Sequence, residues 1–155
     1  DHRRVGLVTN GRRFSYDAFT VAALQSGLRA VSLKLFGATA ETADNYSRDP
    51  GAFDQAMTGA RTLLKAGLPA LEVRTVLHHQ LLAEIESLPA LVQQIGASQL
   101  RVEVALDAIG LSKIHELMDG LTRLQAQCIT LNLPLEISPL SAGTYRFEWM
   151  PALKA

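Results

Sequence analysis

Ala70-Leu71-Glu72-Val73-Arg74-Thr75-Val76-Leu77-His78 decides how this chain folds. Successive side chains on a strand point to opposite faces, so Leu71, Val73, Thr75 and Leu77 share one face and Glu72, Arg74, Val76 and His78 the other. A parallel strand covered by helices on both sides is normally apolar on both faces. Charges at the centre of this one require a polar or solvated second face, because a buried charge must be paired.

The same pattern repeats outward from this stretch. Extended runs are read at residues 4–9, 30–36, 99–106 and 129–137. Their more apolar sets are Val5, Leu7 and Thr9; Val31, Leu33 and Leu35; Leu100, Val102, Val104 and Leu106; and Ile129, Leu131 and Leu133. The opposite sets are Gly6, Val8 and Asn10; Ser32, Lys34 and Phe36; Arg101, Glu103, Ala105 and Asp107; and Thr130 and Asn132. One face of the sheet is therefore apolar, and the other carries Lys34, Glu72, Arg74, Arg101 and Glu103.

Helical spacing lies between the strands. Phe53, Ala56, Met57, Ala60, Leu63 and Leu64 form one apolar stripe, and Ile114, Leu117, Met118, Leu121 and Leu124 another. Gly27 and Gly67 stand where left-handed C-caps are wanted, Pro50-Gly51 breaks the chain before a helix, and Ser112 is a candidate N-cap. Pro89 predicts a short helix ending at Ser87 and a new helix started by the proline. Strands alternating with helices demand right-handed crossovers and a parallel sheet.

The fold class read from these features is α/β: a partial, TIM-like (βα) barrel of about five parallel strands and four helices, with an open edge at the N-terminal strand. Residues 1–137 form this partial barrel. Residues 138–155 form a C-terminal tail, in which Tyr145, Phe147 and Trp149 share one face of an edge strand or docking arm. An exposed parallel edge invites association, so a protein partner, self-association or an upstream domain is expected over the Val5 strand. Asp1 at the start, with a strand beginning almost at once, leads to the expectation that the chain is cut from a longer one.

Composition narrows the function. Fifteen Lys and Arg balance 15 Asp and Glu, which leaves no electrostatic case for nucleic acid or an anionic membrane. No run reaches the length of a membrane span and residues 1–20 hold no signal core, so the expected location is cytoplasmic. The single cysteine, Cys128, excludes an internal disulfide and any all-thiolate metal site built from this chain alone.

Other chemistry finds little support. His78 and His79 are adjacent on a strand end and point apart, which favours surface or turn histidines over a shared metal. His115, Glu116 and Asp119 read as a solvated helix face, and neither Cys128 nor Ser32 has a spaced His and carboxylate to activate it. Gly11 and Gly37 each stand alone, so no phosphate cradle is formed, and Arg12-Arg13 with His2-Arg3-Arg4 is a local solvated basic patch. The charges of the polar face either satisfy one another across Glu72, Arg74, Arg101 and Glu103 or meet a ligand. Lys34 lies outside that ladder and is the charge most expected to meet a ligand.

Four segments, taken in order, resemble the radical S-adenosylmethionine superfamily: Val5-Gly6-Leu7-Val8-Thr9-Asn10-Gly11-Arg12; Val31-Ser32-Leu33-Lys34-Leu35-Phe36-Gly37-Ala38-Thr39-Ala40-Glu41-Thr42-Ala43-Asp44; Val73-Arg74-Thr75-Val76-Leu77, ahead of Leu88-Pro89-Ala90-Leu91-Val92 and Gly96; and the strand over residues 100–106. Phe53-Asp54-Gln55-Ala56 leading to Leu63-Leu64-Lys65-Ala66-Gly67-Leu68-Pro69 is similar to a helix and exit found in members that mature peptides and cofactors. The resemblance spans about residues 4–107.

It implies that these are the third to sixth strands of a six-stranded partial barrel. The family's Cys-x3-Cys-x2-Cys loop, which holds a [4Fe-4S] cluster, and its Gly-Gly-Glu-Pro motif for the methionine amine are both missing from this sequence. Lys34 stands where relatives often carry a serine that helps hold the cofactor. Arg74 matches a polar position that often reaches the cofactor's carboxylate or ribose. Asn10 matches a strand-end Asn, either a turn residue before Gly11 or a ligand contact.

With Ser32 and Glu103 on the same face, the candidate cofactor-binding set is Asn10, Ser32, Lys34, Arg74 and Glu103, with no catalytic or metal-ligating residue assigned. By itself the chain is expected to be a degenerate or truncated barrel without its own cluster or cofactor, acting as a binding or assembly module. The alternative is the C-terminal part of a longer radical S-adenosylmethionine enzyme of peptide or cofactor maturation, with S-adenosylmethionine and [4Fe-4S] present only through the missing strands.

Overall fold

The computed structural model describes residues 4–105 and 109–139. Five strands, β1 (Val5–Thr9), β2 (Leu28–Lys34), β3 (Ala70–Leu77), β4 (Gln99–Val104) and β5 (Leu135–Pro139), form one sheet in the order β1-β2-β3-β4-β5, and every pair is parallel. Among the described residues the connections hold α1 (Asp17–Gln25), α2 (Ala40–Ser47), α3 (Ala52–Lys65), α4 (His79–Leu82), α5 (Leu88–Ile95) and α6 (Ile114–Thr130). This is an α/β fold consistent with a partial TIM-like barrel.

The expected burial of the apolar face holds from β2 through β4. Val31, Leu33, Leu71, Val73, Leu77, Leu100 and Val102 are buried in one cluster with Ala56, Met57, Ala60 and Leu63 of α3 and Leu88 and Val92 of α5. The register Ser32↔Glu72, Lys34↔Arg74 and Arg74↔Arg101 aligns the polar positions in rows on the other face. At the β1 edge Val5 and Leu7 stay 45% and 39% exposed.

Several helix ends follow from local chemistry. Gly67, at φ +89°, closes α3: its N–H donates to the Leu64 carbonyl at 3.0 Å and Leu68 N–H to the Leu63 carbonyl at 3.0 Å. Gly51, at φ +83°, opens α3, and Pro89 sits in the first turn of α5. Gly11 and Gly59 let the turn after β1 lie directly on α3, since a Cβ at Gly59 would fall 2.2 Å from the Gly11 carbonyl oxygen.

The last strand differs from expectation. Residues 129–133 are not extended: α6 runs to Thr130, and Ile129 is 72% exposed. Leu133 N–H donates to the Cys128 carbonyl and Asn132 N–H to that of Ile129, turning the chain through Asn132 at φ +50° before β5 starts at Leu135. The stripe Leu117, Gly120, Leu124 and Cys128 holds the segment helical, a packing requirement that outweighs the alternation of Ile129, Leu131 and Leu133. The buried face of α6 is correspondingly narrower than read, with Met118 and Ile114 exposed.

Ser112 is not the cap of α6. It lies within a short 3-10 turn, Leu111–Lys113, that leads into the helix. Ser138 and Pro139 belong to β5 rather than to the tail. Leu106, Asp107 and the tail's Tyr145, Phe147 and Trp149 lie outside the described residues. No helix among the described residues is long and apolar enough to cross a membrane.

Candidate functional site

The polar face is a connected row of ionic groups. Ser32 Oγ donates to Glu72 Oε1 at 2.6 Å, and Arg101 Nε lies 3.3 Å from both Glu72 oxygens. Arg101 also binds Glu136 of β5 through Nη1. Arg74 adds longer ion pairs, Nε to Glu72 Oε1 at 3.6 Å and Nη1 to Glu103 Oε1 at 4.0 Å. Ser32, Glu72, Arg74 and Arg101 are buried, so this network compensates charges that no water reaches freely. Glu136 was missed by the sequence reading because the β5 register was; it balances Lys34, Arg74 and Arg101 against Glu72, Glu103 and Glu136.

Of the candidate set, Ser32 is used inside this row. The other four line two cavities at the C-terminal ends of the strands. One, of about 200 Å³, is bounded by Asn10, Arg12, Lys34, Phe36, Ala43, Ser47, Asp49 and Phe53 among others. The second, of about 130 Å³, is bounded by Lys34, Phe36, Arg74, Thr75, Val76 and Glu103. Lys34 and Phe36 belong to both walls, so β2 separates and joins the two spaces.

The loops around the first cavity are tied down by their own polar groups. Thr9 Oγ1 accepts from Gly11 N–H at 3.1 Å and Asn10 Oδ1 from Arg12 N–H at 3.4 Å, the turn role foreseen for Asn10, while its side chain still lines the cavity. Arg12 Nε donates to Gln55 Oε1 at 2.7 Å and its Nη1 pairs with Asp49, so this arginine is a strap between loops rather than part of a free basic patch. Asp44 accepts from Gly51 N–H at 2.6 Å and Phe53 N–H at 2.9 Å at the start of α3. Those two backbone donors hold its carboxyl below the ordinary carboxylate value.

Glu84 does the same for α2, accepting from Ala38 N–H at 3.0 Å, from Thr39 Oγ1 at 2.9 Å and from Thr42 Oγ1. Sequence spacing gave no sign of this contact, which joins residues more than 40 positions apart.

His78 corrects the sequence reading. It is 2% exposed rather than a surface histidine, stacked on Tyr46 of α2 at 4.1 Å and 20°, with Tyr46 in turn stacked on Phe36 at 5.1 Å. Its position at the end of β3, under α2, buries it; His79, one residue on, is exposed as expected. Burial pushes the His78 imidazole below its ordinary value, against the Phe36 carbonyl hydrogen bond, which raises it. Among the described residues no group of three His, Cys, Asp or Glu is placed to hold a metal ion.

No family model matches the chain. An AdoMet-dependent heme synthase from Methanosarcina barkeri (strain Fusaro / DSM 804) is 35% identical over 95 residues, which is 61% of this chain and 26% of that protein. The chain is thus similar to an S-adenosylmethionine-dependent enzyme. It spans about a quarter of the length of the curated relative it matches. The match supports the relation to radical S-adenosylmethionine enzymes that the segment resemblance implies.

Proposed function

We propose that β1 to β4 are the third to sixth strands of a radical S-adenosylmethionine barrel, and that the chain provides the wall on which S-adenosylmethionine and its reaction partner lie. The carrying observation is the 35% identity to an AdoMet-dependent enzyme. The position of the cavities agrees with it, since parallel α/β sheets bind ligands at the carboxyl ends of their strands.

The donor set suits a molecule that is an amino acid at one end and a nucleoside at the other. Lys34 and Arg74 offer cations for a carboxylate, Glu103 an acceptor for an amine or ribose hydroxyls, Asn10 both a donor and an acceptor, and Phe36 an apolar surface. Bound S-adenosylmethionine supplies a radical for hydrogen abstraction when it is cleaved reductively. The chain's own residues orient it and exclude water: the Ser32-Glu72-Arg101-Glu136 row fixes the strand faces, and α2 closes the outer wall through Ala43 and Ser47.

The iron-sulfur cluster does not fit these residues. Cys128 is the single thiol, and it is buried on α6 beside Leu133 and Leu135, at the opposite end of the sheet from the two cavities. In this reading the cluster's thiolates come from other residues, and the similarity to an enzyme favours an enzyme part over a degenerate binding or assembly module. The exposed β1 edge, with Val5 and Leu7, is then the surface such residues or a partner would cover.

Equilibrium dialysis with S-adenosylmethionine tests the reading. The chain is expected to bind it, and Lys34→Glu to weaken binding by roughly tenfold or more, about 1.4 kcal/mol. Binding unchanged by Lys34→Glu, or absent in the unsubstituted chain, contradicts the proposal.

A further inference from the structure

The imidazole of His78 joins α2 to the end of β3, and its buried, unpartnered Nδ1 suits the neutral ring. Nε2 lies 2.9 Å from the Phe36 carbonyl oxygen, which can only accept, so the proton of the neutral ring sits on Nε2. Nδ1 is buried and has no hydrogen-bond partner among the described residues. A second proton would go to Nδ1, creating an imidazolium with one donor unsatisfied under the Tyr46 ring. Hydrating that in-plane donor requires the packing around His78 to open, and Tyr46 of α2, stacked on the ring face, is part of that packing.

We propose that α2 is an acid-released latch on the wall of the larger cavity, held by neutral His78 and let go when that ring is protonated. α2 carries Ala43 and Ser47 of the wall, and Phe36 belongs both to the wall and to the ring stack, so release of Tyr46 loosens the cavity directly. This holds whatever the cavity binds and does not depend on the S-adenosylmethionine reading.

The ionisable groups facing His78 among the described residues are Tyr46 from α2, His79 at the start of α4 and Glu84 from the segment after it. Glu84 favours the imidazolium and His79 opposes it, while burial, the largest influence, opposes it as well. The sign follows from the lowered value: the latch is complete above the ordinary histidine value of 6.5 and weakens as pH falls below it.

Amide hydrogen exchange, corrected for the intrinsic pH dependence of exchange, reads the latch. Protection of α2, relative to α3 and α5, is expected to fall by up to about tenfold between pH 6.5 and 5.5, the change that one proton can drive. His78→Gln should remove this pH dependence, and His79→Gln should keep it. Where His78→Gln does not fold, proton NMR of the unsubstituted chain decides: His78 must titrate together with the α2 amides and below the ordinary histidine value of 6.5, and Tyr46→Ala must raise its midpoint. Protection of α2 that is constant with pH, a slope that survives His78→Gln, or His78 titrating at the ordinary value with the α2 amides unmoved overturns the proposal.

Discussion

Arg101 and Glu72 meet with Nε 3.3 Å from both carboxylate oxygens, on neighbouring strands and almost wholly out of water. Glu72 is shared: it also receives the Ser32 hydroxyl and lies 3.6 Å from Arg74. Such a group holds two guanidinium ions in place, and removing it leaves both in a poorly solvated interior.

Glu72→Ala should therefore destabilise the fold by about 3–5 kcal/mol, the usual result of stranding a buried partner. Ser32→Ala, which removes one hydrogen bond into the carboxylate, should cost less, about 1–3 kcal/mol. Urea denaturation midpoints check the order; Glu72→Ala as stable as the unsubstituted chain would show that the row carries no structural load.

Gly59→Ala places a methyl 2.2 Å from the Gly11 carbonyl oxygen, a backbone atom that cannot swing aside. A loss of about 1–3 kcal/mol is expected, with greater mobility of the turn carrying Asn10. Gly51→Ala meets nothing within 4 Å and strains only its φ of +83°. Comparing the two by thermal unfolding separates steric crowding from backbone conformation.

Asp44 has its carboxyl lowered, chiefly by the Phe53 and Gly51 backbone donors. A lowered folded-state value means stabilisation that is present above the ordinary 3.8 and is lost as pH falls through the still lower folded value. In acid titrations the junction of α2 and α3 should hold until below pH 3.8 and then fray. Asp44→Asn should remove that acid-dependent step, as read from the Gly51 and Phe53 amide resonances.

Cys128 is buried and its thiol is pushed up by desolvation. The thiolate is the reactive form, so the native chain should resist iodoacetamide at neutral pH and be alkylated rapidly in denaturant. Mass spectrometry at timed intervals gives the two rates; equal rates would place this helix face in contact with solvent.

The sheet was legible because a period of two leaves little freedom once one face must be apolar: Leu71, Val73 and Leu77 could not move to the other face without exposing the core. The same reasoning put Lys34, Arg74 and Glu103 on the polar face of the sheet; that they line cavities at the strand ends is visible only in the structure. It failed at Ile129, Leu131 and Leu133, where alternating aliphatics end a helix whose inward stripe is spaced by three and four residues. Glu136 was lost with that register. His78 was misjudged because its burial involves Tyr46, on a helix that composition did not announce, and Glu84 went unread because the donors to its carboxylate lie far away in sequence.

Amide NMR of the chain during titration with S-adenosylmethionine tests the central claim most directly, because it reports where the ligand sits as well as whether it binds. The account predicts progressive shifts at Asn10, Lys34, Phe36, Arg74 and Glu103, with β5 and α6 unmoved. No shift at those positions under saturating ligand, or shifts confined to the groove of Ile129, Leu135 and Ile137, would contradict it.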